Sequence, residues 1–429
     1  MKLLPHLVLV VVVTMVIPVA AAEQASAEFH ASVGGAVAQA NAKLWSGHVG
    51  RSGLILDYIG DIPTPEDCAV GKPNAIGWRS PLANGAMFTG LYLPAACERA
   101  RRSGSESDIA RARHLAAGLL TCASVSDVPG FIARGVGTDG RCHYPAGSDD
   151  QTHPWFLGLH AYLQSGLPSA AERAQIVDKM KQVADALESA GWKCPCDGVF
   201  KGQSRGAFKG HLFRDAVRYL HMLRAMAEVT GDNVWLERYR QALAERPAKS
   251  DKTRAEICAA GYGLDREAIK GIDEHSLWIY VGSQAALAKL AALETDATLR
   301  AHYREGLAIN AANVRAALET CKEFDNADTQ VFGHANWRAV YTNWFVQRTQ
   351  ADAEKLAECE DKAKGGKRKA REARYVRNPL AAAAIAALAS EGASRDAIER
   401  ALRHYDYAKL NMSEIFFAEC AYYALPAKP

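Results

Sequence analysis

From Ala83 onward the chain alternates between two kinds of helical segment, and this alternation limits the possible folds more than any other feature. Segments of the first kind are apolar nearly all round and rich in small or aromatic residues: 84–100, 153–163, 212–229, 275–293, 337–347, 379–389 and 414–425. Segments of the second kind carry charge on one face and apolar residues at three- and four-residue spacing: 108–123, 170–190, 235–244, 299–318, 352–364 and 395–404. A helix that is apolar all round must be buried on all sides, whereas an amphipathic one lies on an outer surface. The alternation therefore predicts an all-α fold with an inner ring of helices wrapped by an outer one. The segment 29–44 supplies an outer partner for 84–100.

Punctuation agrees with this reading. Gly104, Gly166, Gly191, Gly231 and Gly392 follow apparent helix ends, while Ser169, Asp232 and Ser394 stand where N-caps belong. Strand signals are confined to 130–136 and 198–201, so any β-structure is expected to be a small hairpin in a connection. The longest connections are 47–82 and 124–152, and long structured loops in a compact domain tend to carry function.

Lys2, an apolar run over 7–19 and Ala20-Ala21-Ala22 before Glu23 follow the order of a secretory leader. The run is short for a bilayer-spanning helix, which needs about 20 apolar residues. We therefore expect a signal peptide over 1–22, a single domain over 23–429, secretion or periplasmic export, and no membrane anchor after cleavage. A formal net charge of +3 on 429 residues gives no electrostatic footprint for nucleic acid. The basic run 362–377 is expected to be a solvated face. Ten cysteines in an exported chain favour disulfides, though Cys194 and Cys196 are too close in sequence to bridge each other. Phosphate-loop, G-x-S-x-G and H-E-x-x-H motifs do not occur, and no paired-ligand spacing calls for a metal or a cofactor.

The densest polar constellation runs from Arg134 to Phe156. Asp149 and Asp150 stand at the start of an inner segment, where a carboxylate can simply cap free N–H groups. Capping leaves unexplained the neighbouring Arg134, Tyr144, Gln151, His153 and Trp155. Paired carboxylates beside such groups suit acid and base work on a glycosidic oxygen. A second cluster holds Arg205, His211, Arg214 and Asp215; arginine there offers a two-pronged grip on a carboxylate or sulfate. Asp273-Glu274-His275 with Trp278, then His334 with Asn336 and Trp337, repeat the pattern, as do Asp57 and Asn84 upstream. Polar and aromatic residues thus recur where loops enter inner segments, and should gather at one end of a central cavity.

The alternating helices, with Asp57-Tyr58, Asn84-Gly85, Ser148-Asp149-Asp150-Gln151 and His275 at the mouths of inner segments, resemble the six-hairpin (α/α) toroids of carbohydrate-active enzymes. That group includes unsaturated glucuronyl hydrolases, related glycoside hydrolases and some polysaccharide lyases. The resemblance covers most of the chain after the leader and implies a toroid or barrel of about six helical hairpins with long loops at one end. In glucuronyl hydrolases an aspartate acts as acid and base, a role that would fall here to Asp149 or Asp150. The segment His334-Ala-Asn336-Trp337 is loosely similar, in another residue order, to a helix of toroidal alginate lyases.

The expected function is cleavage of a glycosidic bond near an acidic or sulfated sugar of an oligo- or polysaccharide. Asp149 or Asp150 would be the acid or base, Arg134 and Arg205 would orient the anion, and Trp155, Trp278 and Trp337 would stack on sugar faces. Asp57, Asn84, Gln151, His153, Arg214 and Asn336 complete the expected binding set. In the lyase alternative Tyr144 with His211 or His275 removes a proton; a scaffold that binds glycans without chemistry is the third reading.

Overall fold

A computed structural model describes residues 28–268, 275–364, 366–389 and 395–426. The expected leader at 1–22, Asp273-Glu274, Gly392 and Ser394 lie outside the described residues. The chain is mainly helical. The helices that carry the architecture are α1 (Val33–Lys43), α2 (Gly85–Ser103), α3 (Glu106–Cys122), α4 (Asp149–Gln164), α5 (Ala170–Ser189) and α6 (Phe213–Thr230). They continue as α7 (Asn233–Ala244), α8 (Val281–Leu293), α9 (Ala297–Asn313), α10 (Asn378–Ala387), α11 (Arg395–Arg403) and α12 (Phe417–Ala424).

Burial separates even from odd. In α4 every residue from Gln151 to Leu163 is buried, and in α10 every residue is. In α5 only the stripe Ile176, Met180, Val183, Ala184 and Leu187 is buried, the pattern of a helix with one face to water. Helix α2 packs against α4, α4 against α6, α6 against α8, α8 against α10, and α10 against α12, which returns to α2. Ser169 caps α5 in a reciprocal capping box with Glu172, and Asp232 caps α7. Gly104 and Gly231 end α2 and α6 in the left-handed conformation that glycine adopts at least cost.

The packing of α2 on α4 depends on two glycines. A Cβ on Gly158 would stand 2.8 Å from the Cα of Gly90, and one on Gly90 would run into the Pro154 carbonyl. Neither helix can yield there, because both are enclosed.

Several expectations are corrected. Residues 337–347 are not an inner helix: only Trp337–Val340 is helical, and Phe345 and Val346 are 41% and 65% exposed. The aromatics that made this stretch read as core are instead pinned to the 47–82 connection, Trp337 Nε1 donating to the Asp61 carbonyl and Trp344 Nε1 to that of Gly71. The helix Gln350–Lys364 forms, but its Ala353 packs on Ala75, Ile76, Ala146 and Phe200 of connecting segments rather than on an inner helix. The strands are β1 (Lys193–Pro195) and β2 (Ser204–Ala207), an antiparallel pair between α5 and α6. Residues 198–200 form a 3-10 turn between them, and 130–136 is not a strand.

No two of the ten cysteines stand at disulfide-bonding distance. Cys194 lies in the main core and Cys196 in the Ala75 cluster, so the two face different surroundings. The basic run is not merely solvated. Arg368 is 2% exposed and bonded to Glu372 at 2.7 Å, because Asp328 and Glu372 supply the counter-charges that sequence distance hides.

Gly90→Ala should therefore lower the unfolding free energy by about 2 kcal/mol or more, as for other overpacked cores. Denaturant titration measures it; an unchanged midpoint would show that α2 and α4 can separate without cost.

Candidate functional site

At the end of the inner helices where the long connections meet lies a cavity of about 1180 Å³. Its walls come from both long connections, the start of α4, β2, the segment entering α8, helix Gly366–Glu372 and the π-helical turn Ala373–Arg377.

One set of carboxylates stands on the α4 side. Asp149 and Asp150 occupy the first turn of α4, but the cap position belongs to Ser148, and both side chains turn to Arg218 of α6. Arg218 Nη1 donates to Asp149 and to Asp150, at 2.8 Å each, and Nη2 donates to the Ile279 carbonyl. The arginine is fully enclosed, whereas Asp150 keeps 37% of its side-chain surface open. Burial and the neighbouring Asp150 charge raise Asp149 above the usual carboxylate range. Burial also acts on Asp150, but Arg218 and Arg214 outweigh it and hold that carboxyl low.

A second carboxylate stands on the opposite connection. Asp57 accepts hydrogen bonds from the backbone N–H and the side-chain amide of Asn84, both at 2.8 Å. Asn84 passes this constraint on, since its Oδ1 accepts from Gln151, whose own Oε1 receives the Met87 N–H. Burial, then the nearby Glu414 charge, pushes Asp57 up to about 7 despite those bonds. Glu414 itself is raised by burial, and pairs with Arg377 at 3.4 Å.

Cations and rings complete the lining. Arg134 is held by the Ala83 carbonyl and Ser148, and burial, with Arg205 adding, lowers it to about 10. Arg205 lies over Trp78 at 4.9 Å, and Arg377 over Trp278 at 4.8 Å. Arg205 is also tied to Glu354 at 2.7 Å, which brings the helix Gln350–Lys364 to the rim.

Of the residues expected from sequence, the cavity gathers Asp57, Tyr58, Asn84, Arg134, Ser148, Asp149, Asp150, Arg205, Arg214, Trp278 and His334. The others lie elsewhere. Tyr144 is buried with Leu56, Cys68 and Leu82 and donates to the Lys72 carbonyl. Trp155 is a core residue bonded to the Leu119 carbonyl, and Trp337 is buried against the 47–82 connection. Gln151 stands behind the wall as a positioning residue. His153 is fully buried between α4 and α6, its ring facing His221 at 5.3 Å, and burial keeps both far below the usual histidine range. His211 and His275 are half-buried and do not line the cavity, and Asn336 is exposed as the cap of Trp337–Val340.

Sequence reasoning missed Arg218, Glu414, Trp78, Arg79, Lys367 and Lys369, all but the first in the lining. Only Arg218 left a clear signal: it is a charge inside an otherwise apolar stretch of an inner helix, one turn beyond Arg214. Among the described residues no group of three or more His, Cys, Asp or Glu is arranged to hold a metal ion.

Arg218→Met would leave two carboxylates facing a buried apolar group. It should cost about 3 kcal/mol at neutral pH, the low end for a broken buried pair because Asp150 is partly open. Without the arginine both carboxyls bind protons more readily when folded, so the loss should shrink as pH falls towards 5. Equal losses at both pH values would mean that the arginine acts by packing alone. Comparison of the chain with family models, with curated proteins and with solved structures finds no match.

Proposed function

We propose that this chain is an enzyme that hydrolyses a glycosidic bond beside an acidic or sulfated sugar, built as an (α/α) toroid of about six helical hairpins. The cyclic order of contacts from α2 through α12 and back supports the toroid, with the odd-numbered helices outside. The leader-like order of residues 1–22 supports export, where polysaccharides are met.

The observation that carries the reading is that one cavity holds carboxyls whose surroundings push their proton affinities apart. Asp57 rises to about 7, and Asp150 is held low. Such a split is how a site keeps one carboxylic acid to protonate a leaving oxygen and one carboxylate as base or charge partner. Asp57 takes the acid role and Asp150, with Asp149 behind it, the anionic one. Arg134, Arg205 and Arg377 orient the substrate's anionic group, and Trp78 and Trp278 offer the stacking faces first assigned to Trp155 and Trp337.

The test is incubation with a panel of acidic and neutral polysaccharides and their oligosaccharides, following reducing ends and ultraviolet absorbance together. Reducing ends alone are expected. Joint signals would mean elimination; Tyr144, His211 and His275, first assigned to it, are not among the lining residues. Silence across the panel with tight saccharide binding would mean a scaffold. Asp57→Asn and Asp150→Asn should each lower turnover by about 10²-fold or more with binding largely kept. Because the acid must be protonated, the rate should fall as pH rises through about 7. Full activity well above that pH would remove Asp57 from the role.

A further inference from the structure

We propose that Cys68 and Cys142 are a disulfide-forming pair that clamps together the two long connections walling the cavity. Cys68 sits in the short helix Pro65–Val70 of the first connection, and Cys142 lies near the middle of the second. The two side chains are brought together by the fold, packed in one hydrophobic cluster and lining one cavity. Both belong to the cluster around Leu56, Leu82 and Tyr144.

The backbone around them is registered as a clamp requires. Thr138 N–H donates to the Pro63 carbonyl at 3.0 Å, and Gly137 N–H to that of Cys142 at 2.8 Å. Both cysteines also line a second cavity of about 670 Å³, beside Trp344 and Val70, through which a solvent-borne oxidant reaches the half-exposed Cys142. A catalytic thiol is the competing reading, and His143 argues against it. One ring nitrogen of His143 is bonded to Asp197 at 3.0 Å and the other to the Arg141 carbonyl at 2.8 Å, which leaves no nitrogen to activate the neighbouring sulfur.

The oxidant is a small or protein-borne disulfide. The Cys142 thiolate attacks one of its sulfurs and expels the other as a thiol, giving a mixed disulfide. The Cys68 thiolate then attacks Cys142 and releases the second thiol. The oxidant gains two electrons, the cysteines lose two, and the two protons leaving Cys68 and Cys142 end on the released thiols. Burial pushes both thiols above the ordinary range, and the hydrogen bond to Asp139 adds to this at Cys142. Formation should be slow for that reason, and reduction slow too, since a thiol of high pKa is a poor leaving group.

The purified chain is equilibrated with oxidised glutathione, alkylated without reduction and digested. A peptide joining Cys68 to Cys142 is expected, with the intact mass about 2 Da below that of the reduced chain. The oxidised chain should melt about 5 °C above the same sample treated with dithiothreitol. Cys142→Ser, conservative at a half-exposed position, should abolish both the link and that difference. Alkylation of both cysteines in the oxidised, folded chain overturns the proposal, as does a bridge elsewhere or an undiminished melting difference in the variant. None of these readouts depends on glycosidase activity.

Discussion

Arg218 is the contact on which the organisation of the cavity rests. A guanidinium enclosed among inner helices has lost its water, a cost of several kcal/mol that only close counter-charges and hydrogen bonds can offset. It finds them in Asp149 and Asp150 at the start of α4 and in the Ile279 carbonyl at the entrance to α8. One side chain of α6 thereby sets the position of two neighbouring helix entrances. Its charge favours the ionised form of both aspartates, but at Asp149 burial and the Asp150 charge outweigh it, so only Asp150 is held low. Asp150 is in contact with the cation, while Asp57 is bonded only to neutral amide groups of Asn84 and lies near Glu414.

The location of the polar groups follows from burial. An inner helix such as α10, buried along its whole length, has no place for a charge in its middle, so charge collects at its ends. Buried charge away from the cavity shows the same economy. Glu419 of α12 is 1% exposed and is satisfied by Asn41, Tyr92 and Arg99 from α1 and α2. That cluster is closed on itself and ties three helices together. The carboxyls at the cavity are left partly open to it, and this difference in closure distinguishes a structural polar cluster from one able to act on a ligand.

Much of the architecture was legible because hydrophobic period reports burial directly. The stripe of α5 and the all-round apolarity of α4 and α10 are both plain in the residues. The method failed at residues 337–347, where Trp337 and Trp344 look like core but are anchored by their indole N–H groups to carbonyls of another connection. Period cannot see such a partner, which lies roughly 270 residues away in sequence. Composition around Asp149 and Asp150 drew attention to the right end of α4, yet could not tell which neighbours face outward. His153 and Trp155 follow the carboxylates by three to six residues and turn into the core, whereas Glu414 and Lys369, far along the chain, line the same cavity. Arg368 was hidden for the mirror-image reason: a basic run reads as solvated until Asp328 and Glu372 are brought to it.

The walls of the cavity differ in how firmly they are held. Along the first connection Asn74, Ser80 and Asp57 bond backbone groups within a few residues or across to α2, and Tyr58 donates to the Arg79 carbonyl at 2.7 Å. Arg134 fastens the second connection to Ala83. Side chains fixed before a ligand arrives lose little freedom on binding, so most of their attraction survives as affinity or as transition-state stabilisation. The opposite rim is different, because Lys367 is exposed and Lys369 is half-buried on the short helix Gly366–Glu372, both on long flexible stems. Point charges on such stems attract an anion without fixing its orientation, while the paired and stacked arginines opposite impose geometry. Under the proposed glycosidase reading, the division of labour is capture of an anionic chain at the lysine-bearing rim and alignment of the scissile bond by the arginine, asparagine and carboxylate wall.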